Sequence, residues 1–386
     1  MHPYGIGIVG LGQITEVHRD GYRTYGLPTV AGFDISEKAR TKFAEQDPQA
    51  RIYDRIEDLF EDPAVKVIDL ATPQFPEARF PAIELAAKHR KPVLIQKPLG
   101  HTYADALHIA ETLLRAGVPA MVNQNLVFAG GMLEAAHAIV REKVIGTPYL
   151  AMAFENWCSD QPAQHWFGKG DRWWVTNLTV HVLSVLHLLL GPPDSVYAAL
   201  GRDPAQPGVE AEGFGHLLLR YPEQVYPDGM VSNVYSSGTY YGLGAKVPSP
   251  FIQGTKGVVN LSQGHGYTLS LRTDKETMDE KVRHRRVPTR SKWFPNAFGL
   301  AMAHFQQAIL AQQPPLCSVE DNLYVMAVCE AAHMSHARRA AVSLAEVMGD
   351  RFDPSYGPGY LRGYTDWTPP HPLEDIKLIR GEYDWN

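Results

Sequence analysis

Cysteine is scarce. The 386 residues contain three, Cys158, Cys317 and Cys329, an odd number with no short-range pairing pattern. That excludes a disulfide scaffold and fits buried thiols in a reducing compartment; no metal site is expected. A basic excess is also missing. With 36 Lys and Arg against 42 Asp and Glu the formal charge is −6, so no field draws the chain to nucleic acid or to an anionic membrane. Long apolar runs are lacking too. The longest, Leu178 to Leu190, is too short to span a bilayer and is interrupted by His181 and His187. The N-terminus enters an apolar strand with no basic stretch or cleavage site before it, so a cytoplasmic location is expected. There is no internal repeat or low-complexity tract. What remains is length for two domains with sizeable cores, and small molecules as the expected partners.

The first 34 residues are the most informative. An apolar strand, Gly5 to Val9, runs into Gly10-Leu11-Gly12-Gln13-Ile14-Thr15, and a second strand ends in Asp34. Gly10 permits a tight turn, and Gly12 lets backbone approach a pyrophosphate with no Cβ in the way. The helix entered through Gln13 and Ile14 aims free N–H groups at the phosphates. An acid about 20 residues on grips a ribose 2′-hydroxyl, and Asp34 stands at that distance. Its carboxylate would repel a 2′-phosphate, so NAD is expected over NADP. Thr15 replaces the third glycine of this fingerprint and is small enough to keep helix packing close.

From Gly5 to about Asn123 strands alternate with helices. Thr29 to Asp34, Val65 to Ala71, Pro92 to Ile95 and Ala120 to Asn123 are the later strands, which predicts a parallel sheet with crossover helices. Ser36 and Thr102 are N-caps ahead of Glu37 to Gln46 and Tyr103 to Ala116, and Gly117 closes the latter helix. Beyond Asn123 the rhythm changes. A helix over Gly131 to Glu142, a strand over Pro148 to Asn156 and a helix over Thr176 to Leu190 precede five strands with no helices between them: Ser195 to Leu200, Gly213 to Tyr221, Met230 to Ser236, Val258 to Leu261 and Thr268 to Arg272. Helices Asn296 to Ala311 and Glu320 to Ala337 follow. The expected fold is α/β: a Rossmann domain with a parallel sheet (1–123), then an α+β domain with a large, mostly antiparallel open sheet (124–348). An arm (349–386) then lies over a neighbouring surface or forms a flexible tail. The basic cluster Lys281, Arg283, His284, Arg285, Arg286, Arg290 and Lys292 is expected to be a solvated loop.

Several groups carry chemistry. Thr72-Pro73 follows the third main strand at the edge where ligands of open sheets collect. Gln96-Lys97-Pro98 ends the next strand, where a lysine in a partly desolvated cleft can trade protons with a substrate oxygen. Asn177 and His181 lie four apart on one helix, and so on one face. An imidazole, with a pKa of about 6.5, suits removal of a hydroxyl proton near neutrality, although the apolar neighbours equally fit a satisfied core histidine. Trp157, His165, Trp166, Arg172, Trp173 and Trp174 crowd an irregular stretch. They read as a substrate wall for sugar C–H faces and hydroxyls, or as buried structural tryptophans.

With these motifs in this order, the chain resembles the glucose-fructose oxidoreductase, inositol dehydrogenase and MocA family over nearly all of residues 5 to 345. Weaker markers are Asn125 with Phe128, Gly254-Thr255-Lys256-Gly257, and Ser318-Val319-Glu320-Asp321-Asn322. The resemblance implies a nicotinamide-dependent oxidoreductase of sugars, cyclitols or related polyols, built as homodimers or homotetramers through the second-domain sheet. It places the family's catalytic lysine on Lys97 and its histidine on His181, with Gly10, Gly12, Gln13, Ile14, Asp34, Thr72, Pro73, Gln96, Lys97 and Asn125 toward the cofactor. The residues expected to face the substrate are Lys97, Trp157, His165, Trp166, Arg172, Trp173, Asn177 and His181. Family acids are replaced by Gln96, Asn177 and Ser184, a glycine by Thr179, and paired arginines by Leu126 and Val127. His181, rather than a carboxylate relay, is therefore the expected base. Two alternatives follow from the same residues: a sugar or dinucleotide sensor without turnover, and glycoside cleavage through transient oxidation.

Overall fold

The computed structural model describes residues 3–156, 170–238, 250–262, 266–273, 282–287, 293–367 and 369–370. Six parallel strands form the first sheet: β1 (Ile6–Val9), β2 (Thr29–Phe33), β3 (Arg51–Tyr53), β4 (Val67–Leu70), β5 (Val93–Gln96) and β6 (Ala120–Asn123), in the order β3-β2-β1-β4-β5-β6. The helices between them are α1 (Ile14–Thr24), α2 (Glu37–Gln46), α3 (Ile56–Glu61), α4 (Pro76–His89) and α5 (Tyr103–Arg115). Every residue of β1, β4, β5 and β6 is buried, as a sheet covered by helices on both faces requires. Ser36 accepts from the Ala39 N–H at the start of α2. Thr102 and Asp105 make a reciprocal capping box on α5. The strand order reverses beside β1, so the ends of β1, β4, β5 and β6 form the ligand edge. The short pair β3 and α3 goes beyond what the sequence pattern indicated.

Among the described residues the second sheet has nine strands. It is preceded by α6 (Met132–Ala136), which continues as a π turn over His137–Arg141. Then come β7 (Pro148–Asn156), α7 (Val180–Leu190), β8 (Ser195–Gly201), β9 (Phe214–Arg220), β10 (Val231–Ser237), β11 (Phe251–Gly254), β12 (Gly257–Ser262), β13 (Gly266–Arg272) and β14 (Val282–Val287). Among the described strands only β7 and β10 pair in parallel, so the sheet is mixed and mostly antiparallel. Burial alternates along β8 and β9, which marks one covered face and one open face. The basic cluster is not simply a loop: Arg283, His284, Arg285 and Arg286 lie on β14, an exposed edge strand. Charge on an edge strand discourages pairing with other chains. Lys281, Arg290 and Lys292 lie outside the described residues.

The chain then returns to the first unit. Helix α8 (Asn296–Ala311) packs on α1, where a Cβ on Gly21 would come within 2.6 Å of the Pro295 carbonyl and 2.7 Å of the Gly299 nitrogen. Residue α8 positions therefore belong with the Rossmann sheet, not with the sheet that precedes them in sequence. Helix α9 (Val319–Arg338), opened by Ser318 accepting from the Asp321 N–H, is followed by β15 (Val342–Ser343), which adds to the β8 edge, and α10 (Leu344–Met348). By contacts, residues 3–129, 293–322 and 362–367 form one unit, and the described residues between 130 and 287 with 323–361 form the other. The C-terminal arm is divided likewise. Tyr356 packs on Tyr324 in the second unit, with ring centroids 4.2 Å apart, whereas the Tyr364 N–H donates to the Pro314 carbonyl in the first. Residues 371–386 lie outside the described ones.

Candidate active site

In the first unit, Gly10 has φ +92° and packs against the backbone of Ala71 and Thr72, so its own turn demands glycine. Gly12 differs. Its φ is not in the left-handed region, and a Cβ there would meet nothing within 4 Å. The protein leaves open the space that an approaching diphosphate needs, and in this respect the turn fits a dinucleotide. Gln13 is exposed, and Ile14 begins α1. Thr15 is buried, and its hydroxyl donates to the Gly12 carbonyl at 2.6 Å, so the missing glycine is accommodated. One oxygen of Asp34 accepts from the Leu11 N–H and the other from the Ser36 N–H, each at 2.7 Å. The carboxylate thus ties the tip of β2 to the glycine turn with lone pairs to spare for a ribose hydroxyl. Beside it Ile35 is 92% exposed, an apolar surface suited to the flat face of an adenine.

Two further strand ends lie along the same edge. Thr72 and exposed Pro73 follow β4, and the buried Thr72 hydroxyl has no hydrogen-bond partner among the described residues. Half-buried Lys97 follows β5 directly, joined to Pro98 by a cis peptide. The Gln96 side chain turns back to accept from the Lys97 N–H at 3.1 Å. Arg79 on α4 donates to the carbonyls of Thr72, Pro98 and Leu99, linking the two loops. Asn125, after β6, accepts from the Trp293 indole at 2.6 Å, which leaves its amide N–H groups to serve a ligand.

In the second unit the predicted single helix is two pieces. Residues Val175–Thr179 form a π turn in which the Val180 N–H reaches the Val175 carbonyl, and α7 follows. Such insertions recur at functional sites. Asn177 sits in the π turn, its amide donating to the Trp173 carbonyl at 3.1 Å; His181 is in the first turn of α7 and buried. The Ser184 hydroxyl donates to the His181 carbonyl. Thr179, at the family's glycine position, pairs with Ser236, which also receives the Trp174 indole N–H.

Trp173 does not form an open platform. It is 1% exposed and packs with Trp174, Val209 and Ala211, because burying two indoles there releases more apolar surface from water than a wall would. Arg172 is likewise committed, gripping Glu330 bidentately at 2.5 and 2.8 Å. Trp157, His165 and Trp166 lie outside the described residues. Sequence reasoning missed Glu212. Buried, it accepts from the N–H groups of Trp173 and Val175 and so caps the start of the π turn, with His333 3.7 Å away. Burial raises its carboxyl to about 7, against the opposing pull of those N–H donors and Arg172. Lys97 belongs to the first unit, and Asn177 and His181 to the second.

Comparison with known proteins places the chain in a family. Residues 4–124 match the model of an oxidoreductase family with an NAD-binding Rossmann fold, and residues 138–344 match the C-terminal alpha/beta domain of the same family. The chain is 24% identical over 300 residues to D-apiose dehydrogenase of Rhizobium rhizogenes, covering 75% of this chain and 82% of the relative. It is 28% identical over 184 residues to inositol 2-dehydrogenase of Rubrobacter xylanophilus, covering 46% and 49%. Among solved structures, an oxidoreductase from Agrobacterium radiobacter in complex with NAD+, L-tartaric acid and magnesium superposes with a TM-score of 0.77 at 22% identity. That match covers 90% of this chain and 100% of the other. No helix among the described residues is long and apolar enough to cross a membrane. With family models covering both of its domains, the chain belongs to the Gfo/Idh/MocA family of oxidoreductases and carries that family's NAD-binding Rossmann domain.

Proposed function

We propose that the protein is an NAD-dependent dehydrogenase of a sugar, cyclitol or related polyol, with Lys97 and His181 handling the hydroxyl it acts on. The observation that carries this is Lys97 at the end of β5, on the same sheet edge as the open Gly12 turn and Asp34. Gly10, Gly12, Gln13, Ile14 and Asp34 hold the dinucleotide, with Thr72, Pro73, Gln96 and Asn125 along the edge beside it. Asp34 favours a ribose 2′-hydroxyl over a 2′-phosphate. Bound NAD supplies the hydride acceptor or donor. Lys97 presents an ammonium to the substrate oxygen, and the His181 imidazole takes or returns its proton. Asn177 orients that exchange. With Gln96 and Ser184 where acids stand in relatives, the imidazole passes its proton to no carboxylate at those positions. The open face of the second sheet pairs copies of the chain.

The names of similar proteins make D-apiose and inositols the first compounds to test. NADH formation should be followed by absorbance across these, other monosaccharides and disaccharides. One compound is expected to give saturable NADH formation. On it, Lys97→Ala and His181→Ala should each lower kcat about 10²- to 10⁴-fold while leaving NAD affinity nearly intact. NAD binding without turnover of any compound in either direction would favour a sensor instead. Glycoside cleavage with no net NADH would favour transient oxidation.

A further inference from the structure

Arg79 is an unusual residue to bury. Its side chain is 1% exposed on α4, and among the described residues no carboxylate pairs with it. Desolvation alone pulls its guanidinium down to about 9. An unpaired cation inside a protein is costly, and an apolar side chain would fill the same volume without that penalty. What the guanidinium provides is a planar set of donors, and three bonds are used. Nη1 donates to the carbonyls of Pro98 and, at 3.1 Å, Leu99; Nη2 donates to the Thr72 carbonyl at 2.8 Å. These carbonyls lie just past the ends of β4 and β5, where ladder hydrogen bonds have stopped and buried acceptors still need donors. One acceptor belongs to the loop carrying Thr72 and Pro73. The other two immediately follow Lys97.

We propose that Arg79 is a positioning residue whose buried guanidinium clamps the loop after β4 to the loop after β5 and thereby fixes where Lys97 stands. At 1% exposure it presents almost no surface to a ligand. A fixed fork suits the task because its donors lie in one plane at set angles, so two loops bonded to it keep one separation. A lysine in its place would bring a point charge that cannot hold the three carbonyls in one geometry. The inference rests on the proposed role of Lys97 only for its effect on turnover; the clamp itself is a property of two loops within one unit.

The test separates the two. Hydrogen exchange should be measured on the full-length protein, wild type, Arg79→Lys and Arg79→Ala, together with NADH binding by fluorescence to show that each variant remains folded. The expected result is exchange at least tenfold faster in Leu99, Gly100 and the residues after Thr72 than in wild type, with α5 and α8 unchanged. Ethylguanidinium added to Arg79→Ala should slow that exchange again, and ethylammonium should not. On the substrate from the sugar screen, kcat should fall at least tenfold in both variants with KM changed less, and ethylguanidinium should restore part of it in Arg79→Ala. Loops that exchange at the wild-type rate in both variants overturn the clamp, whatever the turnover. Should Arg79→Ala fail to bind NADH, the Arg79→Lys exchange decides. Loosened, rescued loops with unchanged turnover, and full activity in Lys97→Ala, would leave the clamp standing and remove Lys97 from the reaction.

Discussion

Gly10 and Gly12 stand two residues apart and are glycine for different reasons. Gly10 has a positive φ and backbone neighbours 3.0 Å from where a Cβ would sit, so the folded chain itself excludes a side chain. Gly12 is exposed, with open space around its absent Cβ. The two substitutions should therefore split stability from binding. Gly10→Ala is expected to lower stability by about 1–3 kcal/mol, the usual range for a strained backbone position. Gly12→Ala should leave the melting temperature within about 1 °C of wild type, as exposed substitutions generally do, yet weaken NAD at least tenfold. Thermal melts with and without NAD check both. A Gly12→Ala protein that binds NAD normally would show that the open space serves something other than a diphosphate. At this scale the sequence was informative where cause and effect are close in the chain, as in Gly10, Gly12 and Thr15. Arg79 was silent because its acceptors are up to 20 residues away and nothing in α4 marks it.

At the scale of elements, the segment leading into α7 shows what local pattern cannot supply. The stretch begins without a Ser, Thr, Asp or Asn cap at Trp174, and the orphan N–H groups of Trp173 and Val175 are met by Glu212, 37 residues beyond Val175. Periodicity located the helix but missed its π turn, because one inserted residue barely disturbs the pattern of a segment that is buried at every position from Val175 to Leu190 except Leu178. Strands β3 and β15 were too short to read, and β14 was masked by its charge. Helix α8 was legible as a helix but not in its allegiance, since helix patterning says which face is buried and not against what.

Glu212 yields a prediction with a definite sign. Its folded carboxyl is raised to about 7 from an ordinary 4.5, so the native state prefers it protonated. The stability associated with that preference is fully present below about pH 4.5 and is lost as pH rises through 7. A shift of this size corresponds to about 3 kcal/mol. Glu212→Gln has the shape of the protonated acid and cannot ionise. Melting temperatures of the two proteins should coincide near pH 4.5, and the variant should gain on wild type up to about pH 8, then hold a constant lead. A lead that does not change with pH would mean that neighbouring charges, His333 and Arg172 among them, keep the carboxylate ionised throughout.

At the scale of the whole molecule, the open face of the second sheet is where copies of the chain are expected to meet. Across the register, Tyr197 faces Leu218, His216 faces Tyr235 and Tyr235 faces Phe154. Tyr197, Leu218 and Phe214 are 46%, 44% and 40% exposed, and Tyr235 and Val231 are exposed beside them. Single exposed apolar side chains are ordinary, but neighbouring strands contributing them to one face form the kind of patch that marks an interface. The arginine-bearing edge strand β14 argues against sheets joining edge to edge, so the expected arrangement is face-to-face pairing about a two-fold axis. Light scattering at micromolar concentration should give the mass of a dimer or tetramer. Leu218→Arg combined with Tyr235→Arg places like charges where two copies would meet, and should shift the mass to that of a monomer while NAD binding persists, because neither residue is among those proposed to hold the dinucleotide. A wild-type monomer, or an oligomer indifferent to both arginines, would show that the open face stays in water.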